Sequence, residues 1–169
     1  MVVYALVFTP IMGNLLGLTP LQSKVWSLRG AKGVSVSETA KKLDTFKQNV
    51  HQTFLVAKST VSKALLEVAE ANRLEVRKVD AERGILWGYQ RWLGCEVVVT
   101  YSTKLGVKVW YWNEKAEKVL DKTVLDEART YLLDLAEERG IFVNGEESRH
   151  HPAKLAKLVF SQLVPEMIR

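Results

Sequence analysis

A chain of 169 residues with 47% hydrophobic and 25% charged side chains holds enough apolar material for one packed domain or two small ones, which excludes wholesale disorder. A single cysteine, Cys95, excludes an internal disulfide and a thiolate-rich zinc site. The net charge of +5 is unevenly spread: Pro20 to Lys78 carries 11 Lys and Arg against 5 Asp and Glu (net +6) and Val79 to Arg169 carries 13 against 14 (net −1), so a polyanionic partner would be met by the first segment.

Residues 1–19 carry no charged side chain. They lack the basic start of a signal peptide, and Pro10, Gly13, Asn14 and Gly17 interrupt them against a membrane span. Two readings fit: a short strand over Val2 to Phe8 packed on the body, or a functional chain opening at Met12. The expected location is the cytoplasm, without membrane contact. Cys95 lies in an apolar strand-like run with no base nearby, which predicts a buried, inert thiol.

Thr19 is a good N-cap and Pro20 fits the first helical position, opening a helix whose apolar stripe is Leu21, Val25, Trp26 and Leu28. Gly30 and Gly33 are expected to end it. Ser35 and Glu38 stand in capping-box order before a short helix, Val36 to Leu43, with Ala40 and Leu43 facing inward. Asp44 and Thr45 make a tight turn. Thr45 with Gln48 is a second capping-box pattern, which predicts a third helix starting near Phe46. Its inner face, Val50, Phe54, Ala57, Val61, Leu65 and Val68, keeps the helical period to about Asn72.

The first turns of this third helix turn Lys47, Gln48, Asn49, His51 and Gln52 away from the core. Asn and Gln can pair bidentately with adenine, and Lys can donate to guanine O6 and N7. Ser37 and Thr45 at helix starts are candidate phosphate holders, and Lys41, Lys42 and Lys58 add charge for the backbone. Taken singly, each of these is more often a solvated surface residue. The combination of a short Ala-containing helix, a tight turn and a polar-fronted helix in a basic segment favours nucleic acid.

The residue pattern also carries a likeness. Leu18, Thr19 and Gln22 open it, followed by Val25, Leu28 and Arg29, then by Gly33, Ser35, Glu38, Ala40 and Leu43. Asn49, Val50, Ala57, Lys58, Val61, Lys63 and Ala64 continue it. Over these 47 residues, Leu18 to Ala64, the chain resembles the helix-turn-helix of the archaeal Tfx family, itself related to LuxR-type and sigma-factor region-four domains. The resemblance implies a sequence-specific DNA-binding protein acting in transcription. Two departures stand out. Phe46 replaces the usual Ser or Thr, which weakens one phosphate contact. Thr53 to Val56 replace a mostly charged stretch, so the helix is expected to pack against more protein.

Beyond it, Leu74 to Val79 and Ile85 to Tyr89 read as strands joined by a turn over Asp80 to Gly84. Cys95 to Ser102 and Val107 to Trp112 alternate around Thr103 to Gly106, a hairpin signal. Asn113 is expected to cap a helix through Ala116, Val119, Leu120, Leu125, Ala128, Leu132, Leu135 and Ala136, broken near Lys122 and Thr123 and ended by Gly140. After a polar loop from Gly145 to His151, Pro152 starts a last helix to about Leu163. The Trp and Tyr side chains here fit cross-strand packing best, with a ligand pocket or an interface as the sharper alternatives. His150 and His151 fit an exposed loop better than a metal site.

The expected fold class is α+β: a helix-turn-helix unit with a long third helix over residues 18–73, then an antiparallel sheet with C-terminal helices over 74–169. The expected function is sequence-specific binding of double-stranded DNA as a transcriptional regulator. A homodimer would read two half-sites, with the C-terminal half dimerising, sensing a small-molecule effector, or both. The rivals are a protein-interaction or ligand-binding module without DNA contact, and a small enzyme in the aromatic half. No motif for catalysis, metal or cofactor is present, so no enzyme, cofactor or metal is expected.

Overall fold

The chain runs as one strand, three helices, four strands and two helices in a computed structural model that describes residues 2–6, 17–113 and 122–168. The elements are β1 (Val2–Leu6), α1 (Pro20–Trp26), α2 (Val36–Lys42), α3 (Lys47–Ala71), β2 (Glu75–Asp80), β3 (Ile85–Gln90), β4 (Cys95–Ser102), β5 (Gly106–Asn113), α4 (Lys122–Glu138) and α5 (Pro152–Leu163). The fold class is α+β, with a sheet that is antiparallel throughout, in the order β1-β5-β4-β3-β2. The strand expected over Val2 to Phe8 forms over Val2–Leu6, against β5. Asn113 ends β5, and the helical turns expected over Ala116, Val119 and Leu120 lie outside the described residues. The described helix starts at Lys122, within the stretch where a break is expected.

Local chemistry sets the helix starts. The Thr19 hydroxyl accepts from the Gln22 N–H (3.3 Å), while the Gln22 side chain accepts from the Thr19 N–H (2.9 Å), a reciprocal box that holds α1. Ser35 accepts from the Glu38 N–H (3.1 Å) at the start of α2. Glu38 does not return the bond; its carboxylate pairs with Lys42 one turn on (3.3 Å). Gly30 does not end the first helix. The chain continues from α1 through a π-helical turn, Ser27–Ala31, before Gly33 takes a left-handed φ of 67°. Leu21, expected on the apolar stripe, faces solvent.

Both faces of the sheet are covered. Alternate residues point to opposite sides of a strand. Leu86, Cys95, Val97, Val99, Val109 and Tyr111 form one face, packed with Trp26 of α1, Ala40 of α2 and Val50, Phe54, Ala57, Val61 and Leu65 of α3. On the other face Ile85, Val98 and Trp110 pack with Tyr131, Leu132 and Leu135 of α4 and Val159 and Phe160 of α5. The result is three layers, helices on sheet on helices. Only three residues separate α3 from β2, and the core formed by α1, α2 and α3 is continuous with one face of the sheet.

A buried clasp ties the three layers at one end. Arg139, just past α4, lays its guanidinium 4.8 Å from the centre of the Trp26 ring on the opposite side of the sheet. It donates to the Arg83 carbonyl (2.7 Å) and the Tyr101 carbonyl, and pairs with Glu138 (3.2 Å). The other Glu138 oxygen accepts from the Thr103 N–H (3.0 Å) and hydroxyl. Trp26 adds a bond from its indole N–H to the Ala81 carbonyl (2.9 Å) and an edge contact with Tyr101 (5.4 Å).

Candidate nucleic-acid interface

The surface begins at the turn between α2 and α3. Leu43 caps α2, and Asp44 adopts a left-handed φ of 48°, a conformation an aspartate tolerates better than most side chains. The Thr45 N–H still donates to the Ala40 carbonyl (3.0 Å), so Thr45 belongs to the end of α2. This corrects the capping expected of Thr45. Phe46 is the N-cap of α3, no side chain caps that end, and the Thr45 hydroxyl instead accepts from the Asn49 side-chain amide (3.4 Å).

From Phe46 onward α3 divides into two faces. Val50, Phe54, Ala57 and Val61 are buried against α1, α2 and the sheet, and Ala40 is buried where α2 meets α3. Lys47, Gln48, Asn49, His51 and Gln52 are all exposed, and neither the sheet nor α4 and α5 covers them. The first turn of α3 holds no acidic residue. Ser37, Lys41 and Lys42 are exposed on the neighbouring α2, Lys42 in its ion pair with Glu38, and Thr45 is half-buried. Lys58 sits differently. It is engaged with Glu82 of the β2–β3 turn (2.7 Å), so a phosphate would compete with a carboxylate for it.

Phe46 was legible only as a departure from Ser or Thr. In the structure its side chain is 79% exposed at the head of α3 and is not among the apolar residues packed on the core. The stretch Thr53 to Val56 splits: Phe54 is buried, under the Arg29 guanidinium at 5.3 Å, while Leu55 and Val56 face solvent. Leu55, Ser59, Ser62, Leu66 and Val79 line an open groove of about 750 Å³ between α3 and β2.

Other candidate residues have structural roles. Trp110 packs between Tyr131 (5.5 Å) and Phe160 (5.7 Å), and its indole N–H donates to the Thr100 hydroxyl (2.9 Å). Arg77 stacks over Trp87 (5.2 Å) and Tyr89 (5.3 Å) while pairing with Glu96 (2.7 Å). Trp92 departs from the packing expected of the tryptophans, since it projects from the β3–β4 turn into solvent. His151 caps α5, its Nδ1 accepting from the Ala153 N–H (3.2 Å). No cluster of metal-ligating side chains occurs among the described residues. Cys95 is buried, and burial pushes its thiol up from the ordinary value, away from the reactive thiolate. Lys108 is buried between the Trp110 and Tyr131 rings (5.3 and 5.0 Å), and burial pushes its ammonium down. Among the described residues no helix is long and apolar enough to cross a membrane. No protein-family model, curated protein or solved structure matches the chain.

Proposed function

We propose that the protein binds double-stranded DNA through the front of α3 and acts as a sequence-specific regulator of transcription in the cytoplasm. One observation carries this reading. Five outward positions in the first two turns of α3, either side of the buried Val50, offer amide, imidazole and ammonium groups to solvent, with no acidic group in the first turn, on a helix anchored by its other face. That is the chemistry that reads base edges in a major groove. Lys41 and Lys42 flank the surface for phosphates, with Ser37 and Thr45 as further polar contacts. A homodimer placing two α3 fronts about 34 Å apart would read half-sites one helical turn from each other. A small-molecule effector acting on the C-terminal layer would bias that arrangement.

Duplex binding measured across salt tests the reading. The logarithm of affinity should fall with the logarithm of salt with a slope of about −0.9 for each phosphate neutralised. A flat response would overturn it. That outcome would favour a protein-interaction module, a second reading that rests on the exposed Leu55, Val56 and Leu66 along α3.

A further inference from the structure

We propose that Phe46 reads the C5 methyl group of a thymine, which makes an A·T pair the preferred pair at one position of the target half-site. The inference rests on the DNA-binding reading of α3 and names part of what that surface recognises. Phe46 is the N-cap of α3 in extended conformation (φ −82°, ψ 146°), with no cap hydrogen bond from its side chain. The phenyl ring stands clear of the core, at 79% exposure. A large apolar group left in water forgoes the stabilisation that burial would give, so the ring is free to gain it against a partner that the polar front of α3 engages. Two other aromatics are more exposed, Trp92 and Phe142 at 84% each, but Trp92 lies in the β3–β4 turn and Phe142 between α4 and α5, neither of them on the front of α3.

What surrounds Phe46 identifies that partner. The side chains of Lys47, Gln48, His51 and Gln52 are exposed and make no hydrogen bond or ion pair among the described residues. Asn49 reaches only the Thr45 hydroxyl. In the major groove an A·T pair offers the N7 acceptor and N6 donor of adenine, the O4 acceptor of thymine and the C5 methyl, the one apolar group that groove displays. Gln48 and Asn49 suit the adenine edge, and the phenyl ring two positions earlier suits the methyl. A G·C pair at the same step would set the ring against the cytosine amino group and strand that donor.

Replacing thymine by deoxyuridine removes the methyl and leaves every hydrogen-bonding group of the pair in place. On a duplex selected from a random pool, deoxyuridine is substituted at one thymine at a time. For the wild-type protein, one position in each half-site should lose affinity about fourfold, the worth of one buried methyl-sized group. The Phe46→Ala variant should bind the thymine and deoxyuridine duplexes equally, and its melting temperature should match the wild type because the side chain is exposed. Tolerance of deoxyuridine at every position by a wild-type protein that still binds the duplex would overturn the assignment of Phe46 and leave α3 as the reading helix. Retention of the thymine preference by Phe46→Ala would overturn it equally. Absence of any duplex binding would overturn both the assignment and the function on which it rests.

Discussion

Asn49 sits at the front of α3 with its amide 3.4 Å from the Thr45 hydroxyl, a bond weak enough to exchange for a base edge. Asn49→Ala should cost about 1–3 kcal/mol on the preferred duplex and little on random sequence, read as a reduced ratio of specific to non-specific affinity. Lys58 makes the contrasting case. Its ion pair with Glu82 is solvent-exposed, so the pair contributes little to stability but holds the ammonium in place. Glu82→Gln should strengthen binding to all duplexes alike and steepen the salt dependence; an unchanged slope would place Lys58 outside the interface. The polar front of α3 was legible in the sequence because the apolar period of Val50, Phe54, Ala57 and Val61 fixes which residues face away. The engagement of Lys58 was not, since Glu82 lies 24 positions away and meets it only through tertiary packing. Phe46 was legible as an oddity without a direction, because a single apolar residue between Thr45 and Lys47 carries no period.

The two Thr-x-x-Gln patterns are alike in composition and differ in outcome. Thr19 and Gln22 close a reciprocal box, whereas Thr45 remains bonded to Ala40 and leaves the N-cap to Phe46. The difference lies in the preceding chain: α3 follows a one-residue left-handed turn at Asp44 that keeps Thr45 on the end of α2. Thr19→Ala should therefore destabilise the fold by about 1 kcal/mol, measured by urea unfolding, while Thr45→Ala should cost less. The strands were legible nearly to the residue, since turn residues bound them and β-branched and aromatic side chains fill them. Their two-sided burial shows as the unbroken apolar run Val97 to Val99, but which helices cover each face does not show. The π-helical turn was not legible either. Gly30 reads as a helix stop, yet its role is a close approach: a Cβ there would collide with the Glu82 carbonyl oxygen. Gly30→Ala should lower unfolding free energy by about 1–3 kcal/mol, and an unchanged value would show that the β2–β3 turn does not rest on the first helix.

Across the whole molecule, the Arg139 clasp joins α4 to the far face of the sheet and to α1, so the C-terminal layer and the three N-terminal helices meet at one buried charge pair. Arg139→Met leaves Glu138 buried without its partner and should cost about 3–5 kcal/mol in unfolding free energy. Alkaline pH probes the same interior. Burial pushes the Tyr101, Tyr111 and Tyr131 hydroxyls up from 10.0, so the folded protein keeps protons that the unfolded chain releases. Their contribution is fully present below the ordinary tyrosine value and is lost as pH rises through the raised ones. Lys108 works oppositely: its burial penalty fades as pH approaches 10.5, but one lysine is set against three tyrosines. Urea midpoints should fall above about pH 10, and Tyr131→Phe should flatten that fall. The proposed regulator depends on the front of α3 entering a duplex, and selection from a random duplex pool with wild-type protein and with a Gln48→Ala, Asn49→Ala double variant of matched melting temperature tests this most directly. The wild type should enrich a half-site containing an A·T pair, and the double variant should not. Enrichment of nothing by the wild type, or of the same site by both proteins, would contradict the account.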